Sequence, residues 1–330
     1  FENRFIIKYL EFSDTRESTV CNELASRGIN HDARIITPIW YSYFENKRRT
    51  HKTSPGANED DAARPNREYS MEVTLYDPAD KKNIRVRTRD IISIEIQPVL
   101  DRSIVFHKWY TVAQFNPKNH DYVVGTMMLS LARSIKYCHD IGMVHGDIKP
   151  DNLLVTHNHP AAGEESDLNW QAKLKVVGRT RDPCDIPNIY LIDFGMCGRE
   201  GTHDGTGGTR PFCAPEIGNI YTPPPGLKKS HSDTDDYIWS PLSKQHDIWS
   251  WALILYTITA YHDVYNVYED YPSDTFDASG YINETQLDYA FEIKTHPFYP
   301  LFEKTLTPPS SRATSIDAII ELLEGILKEM

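Results

Sequence analysis

Cysteine is scarce in this chain, and acidic residues outnumber basic ones. The five cysteines among 330 residues have no C-x-x-C spacing, so neither a structural zinc site nor a disulfide framework is expected. Lys and Arg total 35 against 47 Asp and Glu, and the net charge of −12 argues against a nucleic-acid or anionic-membrane partner. The longest apolar stretch, residues 248–261, is too short for a transmembrane segment and predicts a buried helix.

Three short motifs occur in a fixed order along the chain. Residues 144–154 read VHGDIKPDNLL, residues 193–195 read DFG, and residues 214–216 read APE. Asp and Asn are common in turns and caps, so any one of these motifs alone would carry little weight. All three together, with the first between a helical run and an apolar run, are a strong signal.

The joint pattern resembles the eukaryotic protein kinase family, from about Phe5 to Leu327. The resemblance implies an α+β fold of two lobes, with a small β-rich N-lobe at residues 1–99 and a large helical C-lobe at residues 100–330. It also implies transfer of the ATP γ-phosphate to a protein hydroxyl group. Lys149, with Thr209 behind it, follows the Ser/Thr kinase pattern.

The resemblance assigns four residues to this chemistry. Asp147 matches the catalytic Asp that accepts or orients the proton of the substrate hydroxyl, and Lys149 steadies the charge of the transferring phosphate. Asn152 and Asp193 are expected to bind magnesium, which prefers hard oxygen ligands. Phosphoryl transfer depends mainly on positioning and on offsetting negative charge, which explains these residue types.

Further residues are assigned to the nucleotide by the same resemblance. Lys8, on a predicted strand, would position the ATP phosphates and pair with Glu23 on a predicted helix from Ser18 to Arg27; Glu17 is the alternative partner. The hinge beside the adenine is predicted at Gln97 to Val99.

Within this hinge, Pro98 has no N–H, so Val99 is the expected hydrogen-bond donor to the adenine. Leu154, which follows the catalytic loop, completes the predicted nucleotide-binding residues.

The resemblance also supplies supporting contacts in the large lobe. Thr209 and Glu216 belong to the strip that faces the substrate, and Arg312 stands where the family has the ion-pair partner of Glu216. Asp247 is expected to accept hydrogen bonds from the backbone of the catalytic loop. This strip favours a protein substrate over a small molecule or a lipid.

Hydrophobic periodicity predicts the remaining elements. They are strands at residues 35–40 and 91–96, a hairpin of residues 71–76 and 84–86, a helix from Asp121 to Asp140, and short strands at 153–155 and 190–192. Two polar segments are read as insertions, a flexible one at about 46–66 and another at about 156–188. The sequence leaves open whether the second is disordered or binds a partner.

Three departures from the family pattern bear on activity. Gly146 stands where most members have an Arg that grips a phosphate on the activation segment, Ile6 stands where a small Ala is common, and no glycine-rich loop precedes Lys8. The missing loop has two explanations. The first strands were trimmed, or the chain belongs with the with-no-glycine-loop kinases of parasites, a secreted subgroup; we favour the second.

These departures leave two functions open. The first is an active Ser/Thr kinase that uses ATP and magnesium, and the second is a pseudokinase that serves as a binding or scaffold module. The chain is expected to be secreted if the loopless resemblance holds and cytoplasmic otherwise.

Overall fold

A computed structural model of the chain shows a mixed α and β architecture. It describes residues 5–10, 23–24, 34–36, 40–43, 71–77, 82–88, 93–98, 100, 103–156, 176–202, 208–209, 212–218, 241–261 and 296–330. The chain divides into two compact units, the first formed by residues 1–15 and 38–99 and the second by residues 16–37 and 100–330. The predicted lobe boundary at residues 99 and 100 stays a prediction, and residues 16–37 group with the second unit.

The first unit is built from antiparallel strands. Strands β1 (Phe5–Leu10) and β2 (Trp40–Tyr43) both pair with β5 (Ser93–Pro98), so the sheet order is β1-β5-β2. Strands β3 (Met71–Asp77) and β4 (Lys82–Thr88) form the predicted antiparallel hairpin, with Val73 opposite Val86.

Two further predicted strands are described only in part. In the strand predicted at residues 35–40, Ile35 makes a parallel bridge to Leu191, and Trp40 is the first residue of β2; both Ile35 and Leu191 belong to the second unit. Residues 37–39 lie outside the described residues, so the continuity of this strand stays a prediction. The strand predicted at residues 91–96 is β5, described over Ser93–Pro98.

The second unit is centred on two long helices. Helices α1 (Phe106–Val112) and α2 (His120–Asp140) are followed by α3 (Pro215–Gly218), α4 (Lys244–Tyr261), α5 (Tyr299–Thr305) and α6 (Ile316–Glu329). The predicted core residues of α2, which include Met128, Leu131, Ile135 and Cys138, are fully buried. Helix α4 buries apolar side chains all round, as a helix in the middle of a core does.

Short strands of the second unit pair into small sheets. The three-stranded sheet β11-β9-β6 contains β6 (Ser103–Val105), β9 (Leu153–Thr156) and β11 (Asn188–Leu191); β7 (Gln114–Phe115) pairs with β10 (Val176–Val177), and β8 (Met143–Val144) pairs with β12 (Gly198–Arg199). No helix among the described residues is long and apolar enough to cross a membrane.

The described end of the second predicted insertion is ordered against the large unit. Residues 176–177 form β10, and Asn119 donates from Nδ2 to Gly178 O at 2.9 Å. The guanidinium of Arg181 lies 5.0 Å from the ring centre of Tyr122. The last residues of the predicted insertion are therefore ordered against the second unit, and the insertion itself stays a prediction. Residues 157–175, and the whole of the insertion predicted at 46–66, lie outside the described residues.

Candidate active site

The catalytic loop runs from β8 to β9 and ends in a 3₁₀ turn at Pro150–Asn152. Asn152 N donates to Lys149 O at 3.0 Å, which closes this turn, and Ile192 N donates to Asn152 O at 3.0 Å. The second bond continues the antiparallel pairing of β9 with β11. The residue before Asp193 is thereby held beside Asn152, so the sheet brings together the two predicted metal ligands.

The carboxylate of Asp147 is held on one side only. Lys149 Nζ lies 2.8 Å from Asp147 Oδ2, and Asn152 Nδ2 donates to the same oxygen at 3.0 Å and to Asp147 O at 2.8 Å. The other oxygen, Oδ1, is buried and has no hydrogen-bond partner among the residues that the structure describes. A buried acceptor without a partner is costly, and a hydroxyl group donating to Oδ1 would remove that cost.

The pKa of Asp147 reflects two opposing effects. Burial, the largest, raises the pKa, but the Lys149 ammonium, the neighbouring hydroxyl of Thr209 and the charge of Lys149 lower it, and the net result is a lowered pKa. Asp147 is therefore a carboxylate at neutral pH. It is suited to accepting a hydrogen bond and orienting a donor.

Lys149 joins the catalytic loop to the substrate strip. Its Nζ donates to Thr209 Oγ1 at 2.5 Å while lying 2.8 Å from Asp147 Oδ2. A single ammonium group therefore contacts both predicted functional residues.

Asp247 anchors the backbone of the catalytic loop from helix α4. Its Oδ2 accepts from His145 N at 2.8 Å and lies 2.9 Å from His139 Nε2, and its Oδ1 accepts from Gly146 N at 2.9 Å. Burial raises the pKa of Asp247, but the hydrogen bond and charge of His139 and the bond from Gly146 outweigh it, so the pKa is lowered. The Asp247 side chain is only 1% exposed. The backbone of the catalytic loop is therefore hydrogen-bonded to a carboxylate that is itself held in the core.

His145 also shapes the site, although the sequence analysis gave it no role. Its Nδ1 accepts from Asp147 N at 3.3 Å, so the proton of a neutral ring is on Nε2, which lies 3.2 Å from Ile192 O. The ring packs edge-on against Phe194, with centroids 4.9 Å apart. His145 thus connects the backbone of Asp147 to that of Ile192, the residue before Asp193. The only available sequence signal was its place in the catalytic motif.

Asp193 has a left-handed backbone, with φ +65°, which Asp tolerates better than most residues. Gly195 N donates to Asp193 Oδ1 at 3.4 Å. Because the Asn152 amide nitrogen is bonded to Asp147, its oxygen is the atom suited to a metal. Asn152 and Asp193 therefore fit magnesium, which takes its remaining ligands from phosphate and water. The described residues contain no cluster of three or more His, Cys, Asp or Glu side chains suited to a metal.

The predicted nucleotide residues of the first unit are placed by their backbone. Lys8 lies on β1 opposite Glu95, and Gln97 lies on β5 opposite Ile6. Val99 lies outside the described residues. The roles of Lys8, Gln97 and Val99 stay predictions.

Two more predicted nucleotide residues belong to the second unit. Leu154 is half-buried on the central strand β9, between Val105 of β6 and Tyr190 of β11. Glu23 is helical, and its Oε2 lies 2.8 Å from Arg199 Nη2. No sequence pattern predicted this ion pair. The pairing of Glu23 with Lys8 stays a prediction, and Glu17 lies outside the described residues.

Glu216 and Arg312 form the ion pair expected from the sequence. Arg312 Nη1 lies 2.5 Å from Glu216 Oε1, and Nη2 donates to Oε2 at 3.1 Å. Arg312 also donates to Thr307 O, and its guanidinium lies 4.9 Å from the ring centre of Trp249. The pair fixes α3, which contains the end of the predicted substrate strip, to the C-terminal part of the unit.

Comparison with known sequences decides the family. The model of the protein kinase domain matches residues 99–328, well over half of the chain. The chain belongs to the protein kinase family. This confirms the resemblance drawn from the three motifs.

Among curated proteins, the chain is similar to Serine/threonine-protein kinase PEPKR2 of Arabidopsis thaliana, with 26% identity over 192 residues, which is 56% of this chain and 30% of the relative. It is 30% identical over 107 residues to dual specificity protein kinase lkh1 of Schizosaccharomyces pombe, which is 30% of this chain and 14% of the relative. The matched stretch thus spans less than a third of the length of these relatives.

Among solved structures, the kinase PK-1 of Cydia pomonella granulovirus is similar, with a TM-score of 0.50 and 12% sequence identity over 98% of this chain and 87% of that one. At this identity the likeness concerns the fold alone. It agrees with the predicted α+β, two-lobed kinase fold, which is confirmed.

Proposed function

We propose that this chain is an active Ser/Thr protein kinase that transfers the γ-phosphoryl group of ATP to a hydroxyl group of a protein. The observation that carries the proposal is that the two carboxylate oxygens of Asp147 have different surroundings. Lys149 and Asn152 hold Oδ2, while Oδ1 is buried and lacks a partner among the described residues. That arrangement leaves one oxygen for a substrate hydroxyl.

The proposed reaction follows from these positions. The substrate hydroxyl donates to Asp147 Oδ1, its oxygen forms a bond to the γ-phosphorus, and the bond from that phosphorus to the bridging oxygen breaks, so that ADP leaves. The hydroxyl proton passes to Asp147 and then to solvent. Because the pKa of Asp147 is lowered, its main contribution is to orient the hydroxyl, as expected for a reaction dominated by positioning.

Lys149 and the metal ligands would offset the charge of the phosphates. Lys149 Nζ contacts both Asp147 and Thr209, so its positive charge lies next to the proposed acceptor site. Asn152 and Asp193 would hold magnesium, which neutralises phosphate charge when bound. Lys8 and Glu23 are proposed to position the phosphates, and Gln97, Val99 and Leu154 to contact the adenine.

The alternative is a pseudokinase that serves as a scaffold. The Ile6 departure favours it, whereas the ordered contacts among Asp147, Lys149 and Asn152 favour the enzyme. A scaffold has no physical need for this arrangement.

Thermal unfolding in the presence of ATP, with and without magnesium, shows whether the protein binds ATP and whether that binding depends on magnesium. A ligand at about 100 times its Kd stabilises by about 2.7 kcal/mol, so magnesium-dependent ATP binding should raise the melting temperature clearly. Transfer of radiolabelled γ-phosphate to peptide libraries with Ser, Thr or Tyr as the only acceptor then tests the reaction. Labelling of Ser or Thr libraries supports the proposal. Magnesium-dependent binding without labelling of any library supports the pseudokinase.

The salt dependence of ATP binding tests whether a glycine-rich loop covers the phosphates. If no glycine-rich loop covers the phosphates, Lys8, Asn152, Asp193 and magnesium hold them through ionic contacts. ATP affinity should then fall as salt is added. A chain extended upstream that binds ATP far more tightly through a glycine-rich hairpin would contradict this.

A further inference from the structure

Gly146, the residue before Asp147, is contacted by three different segments. Its N–H donates to Asp247 Oδ1 on helix α4 at 2.9 Å. Its Cα faces the carbonyl oxygen of Met196, and its own carbonyl oxygen faces Gly208. Its backbone is left-handed, with φ +77°.

Two of these contacts leave no room for a side chain. A Cβ atom at Gly146 would lie 2.8 Å from Met196 O, and a Cβ atom at Gly208 would lie 2.8 Å from Gly146 O. Both obstacles are backbone atoms, so a change of rotamer cannot relieve the overlap. The backbones themselves must separate if either glycine gains a side chain.

The catalytic loop and the two loop segments that lie against Gly146 carry separate parts of the proposed active site. Gly146 is bonded directly to Asp147. Met196 lies in the turn after Asp193, where Cys197 N donates to Phe194 O at 3.0 Å. Gly208 is bonded directly to Thr209, whose hydroxyl accepts from Lys149. The close contacts at Gly146 therefore join the segments of the proposed base, the metal ligand and the substrate strip.

We propose that Gly146 is a positioning residue: its missing side chain lets the segments carrying Asp193 and Thr209 lie directly against the catalytic loop and sets their spacing to Asp147. The proposal rests on the proposed kinase activity. The left-handed backbone alone does not account for these contacts, because a glycine needed only for its φ can face open space.

The chain itself offers matched controls for that distinction. Gly142 has φ +77° and Gly201 has φ +82°, and nothing lies within 4 Å of a Cβ atom added to either. Ala at these positions carries similar backbone strain without the backbone overlap. The difference between Gly146→Ala and these controls isolates the close contact.

The first measurement is steady-state kinetics of phosphate transfer by Gly146→Ala, Gly208→Ala, Gly142→Ala and Gly201→Ala. A small misplacement of reacting groups can lower the rate about 100-fold, so we expect the kcat of Gly146→Ala to fall by about that factor. The kcat of Gly208→Ala should also fall. The KM for ATP should change little, and both controls should keep a kcat close to that of the parent. Equal kcat for Gly146→Ala and Gly142→Ala would overturn the proposal. If Gly146→Ala does not fold, Gly208→Ala decides by the same comparison.

The second measurement does not depend on activity. Thermal unfolding of Gly146→Ala, Gly208→Ala and the double variant forms a cycle, and residues in contact give non-additive changes. We expect the melting temperature lost by the double variant to differ from the sum of the single losses, because both substitutions displace the same backbone at Gly146. Additive losses would overturn the proposed contact. If the parent protein transfers no phosphate, the proposed function is overturned instead. The thermal cycle would still test the close backbone contacts at Gly146.

Discussion

Arg312 and Glu216 are joined by two parallel contacts across 96 residues of sequence. The guanidinium is fully buried, and the carboxylate side chain is 16% exposed. A buried bidentate pair of this kind depends on both partners, because either charge alone would be left in a medium that solvates it poorly. The pair links the end of the predicted substrate strip to the C-terminal part of the large unit.

Removal of Arg312 should therefore destabilise the protein strongly. We expect Arg312→Ala to lose about 3–5 kcal/mol in free energy of unfolding, because the half-buried carboxylate of Glu216 loses its bidentate contact with a fully buried guanidinium. Denaturant titration followed by tryptophan fluorescence measures the loss.

Arg133 provides the matched control for this prediction. It pairs with Glu324 at 2.8 Å, but its side chain is 60% exposed, so Arg133→Ala should cost only about 0–1 kcal/mol. Unfolding of Arg312→Ala at the same denaturant concentration as Arg133→Ala would show that the buried pair contributes little.

His246 should make stability depend on pH in the mildly acidic range. Its Nδ1 accepts from Ser243 N at 3.2 Å, and its Nε2 lies 3.8 Å from Glu216 Oε1. Burial, the largest effect, and Arg312 lower the pKa of His246, and together they exceed the opposite effect of Glu216 and Asp247. The folded protein therefore holds His246 neutral below the ordinary pKa of 6.5.

The sign of the effect follows from the extra proton of the unfolded state. Since the folded pKa is lowered, the contribution of His246 is fully present above about pH 6.5 and is lost as pH falls towards the folded value. The free energy of unfolding should decrease over that window, and His246→Gln should show a smaller decrease. Equal slopes for the parent and His246→Gln would exclude His246 as the source.

Asp193 should matter for magnesium more than for the fold. Asp193→Asn keeps the left-handed backbone conformation acceptable, since Asn tolerates it as Asp does, but it removes the carboxylate charge. We expect calorimetry to show that ATP binding by Asp193→Asn no longer depends on magnesium, while the melting temperature without ligand stays close to that of the parent. Asp140→Asn, at a 57% exposed carboxylate, is the control that should keep the dependence. Retained magnesium dependence in Asp193→Asn would remove Asp193 from the metal site.

Sequence patterns predicted the features that local signals determine. The buried stripe of α2 and the hairpin β3–β4 follow from periodicity, and the pair of Glu216 with Arg312 followed from motifs of the family. Periodicity predicted a strand that includes Ile35 but not its partner, because the bridge to Leu191 depends on a distant part of the chain.

Contacts within the candidate site were harder to foresee. The open oxygen of Asp147 and the ion pair of Glu23 with Arg199 depend on side-chain positions set by tertiary packing. In the sequence, Gly146 is notable only as the absence of the usual Arg. In the structure, its left-handed φ and the close approach of Met196 O are both features that a glycine permits. No local pattern carries that information.

The most direct test of the central claim is phosphate transfer by Asp147→Asn beside the parent protein, with radiolabelled ATP, magnesium and the best peptide acceptor. Asn keeps the size of the side chain but replaces the carboxylate that orients the hydroxyl, and loss of such a group typically costs about 10²–10⁴-fold. We predict that kcat falls by that range while the melting temperature and ATP affinity are retained, and that Asp140→Asn behaves as the parent. Parent-level turnover by Asp147→Asn would contradict the account.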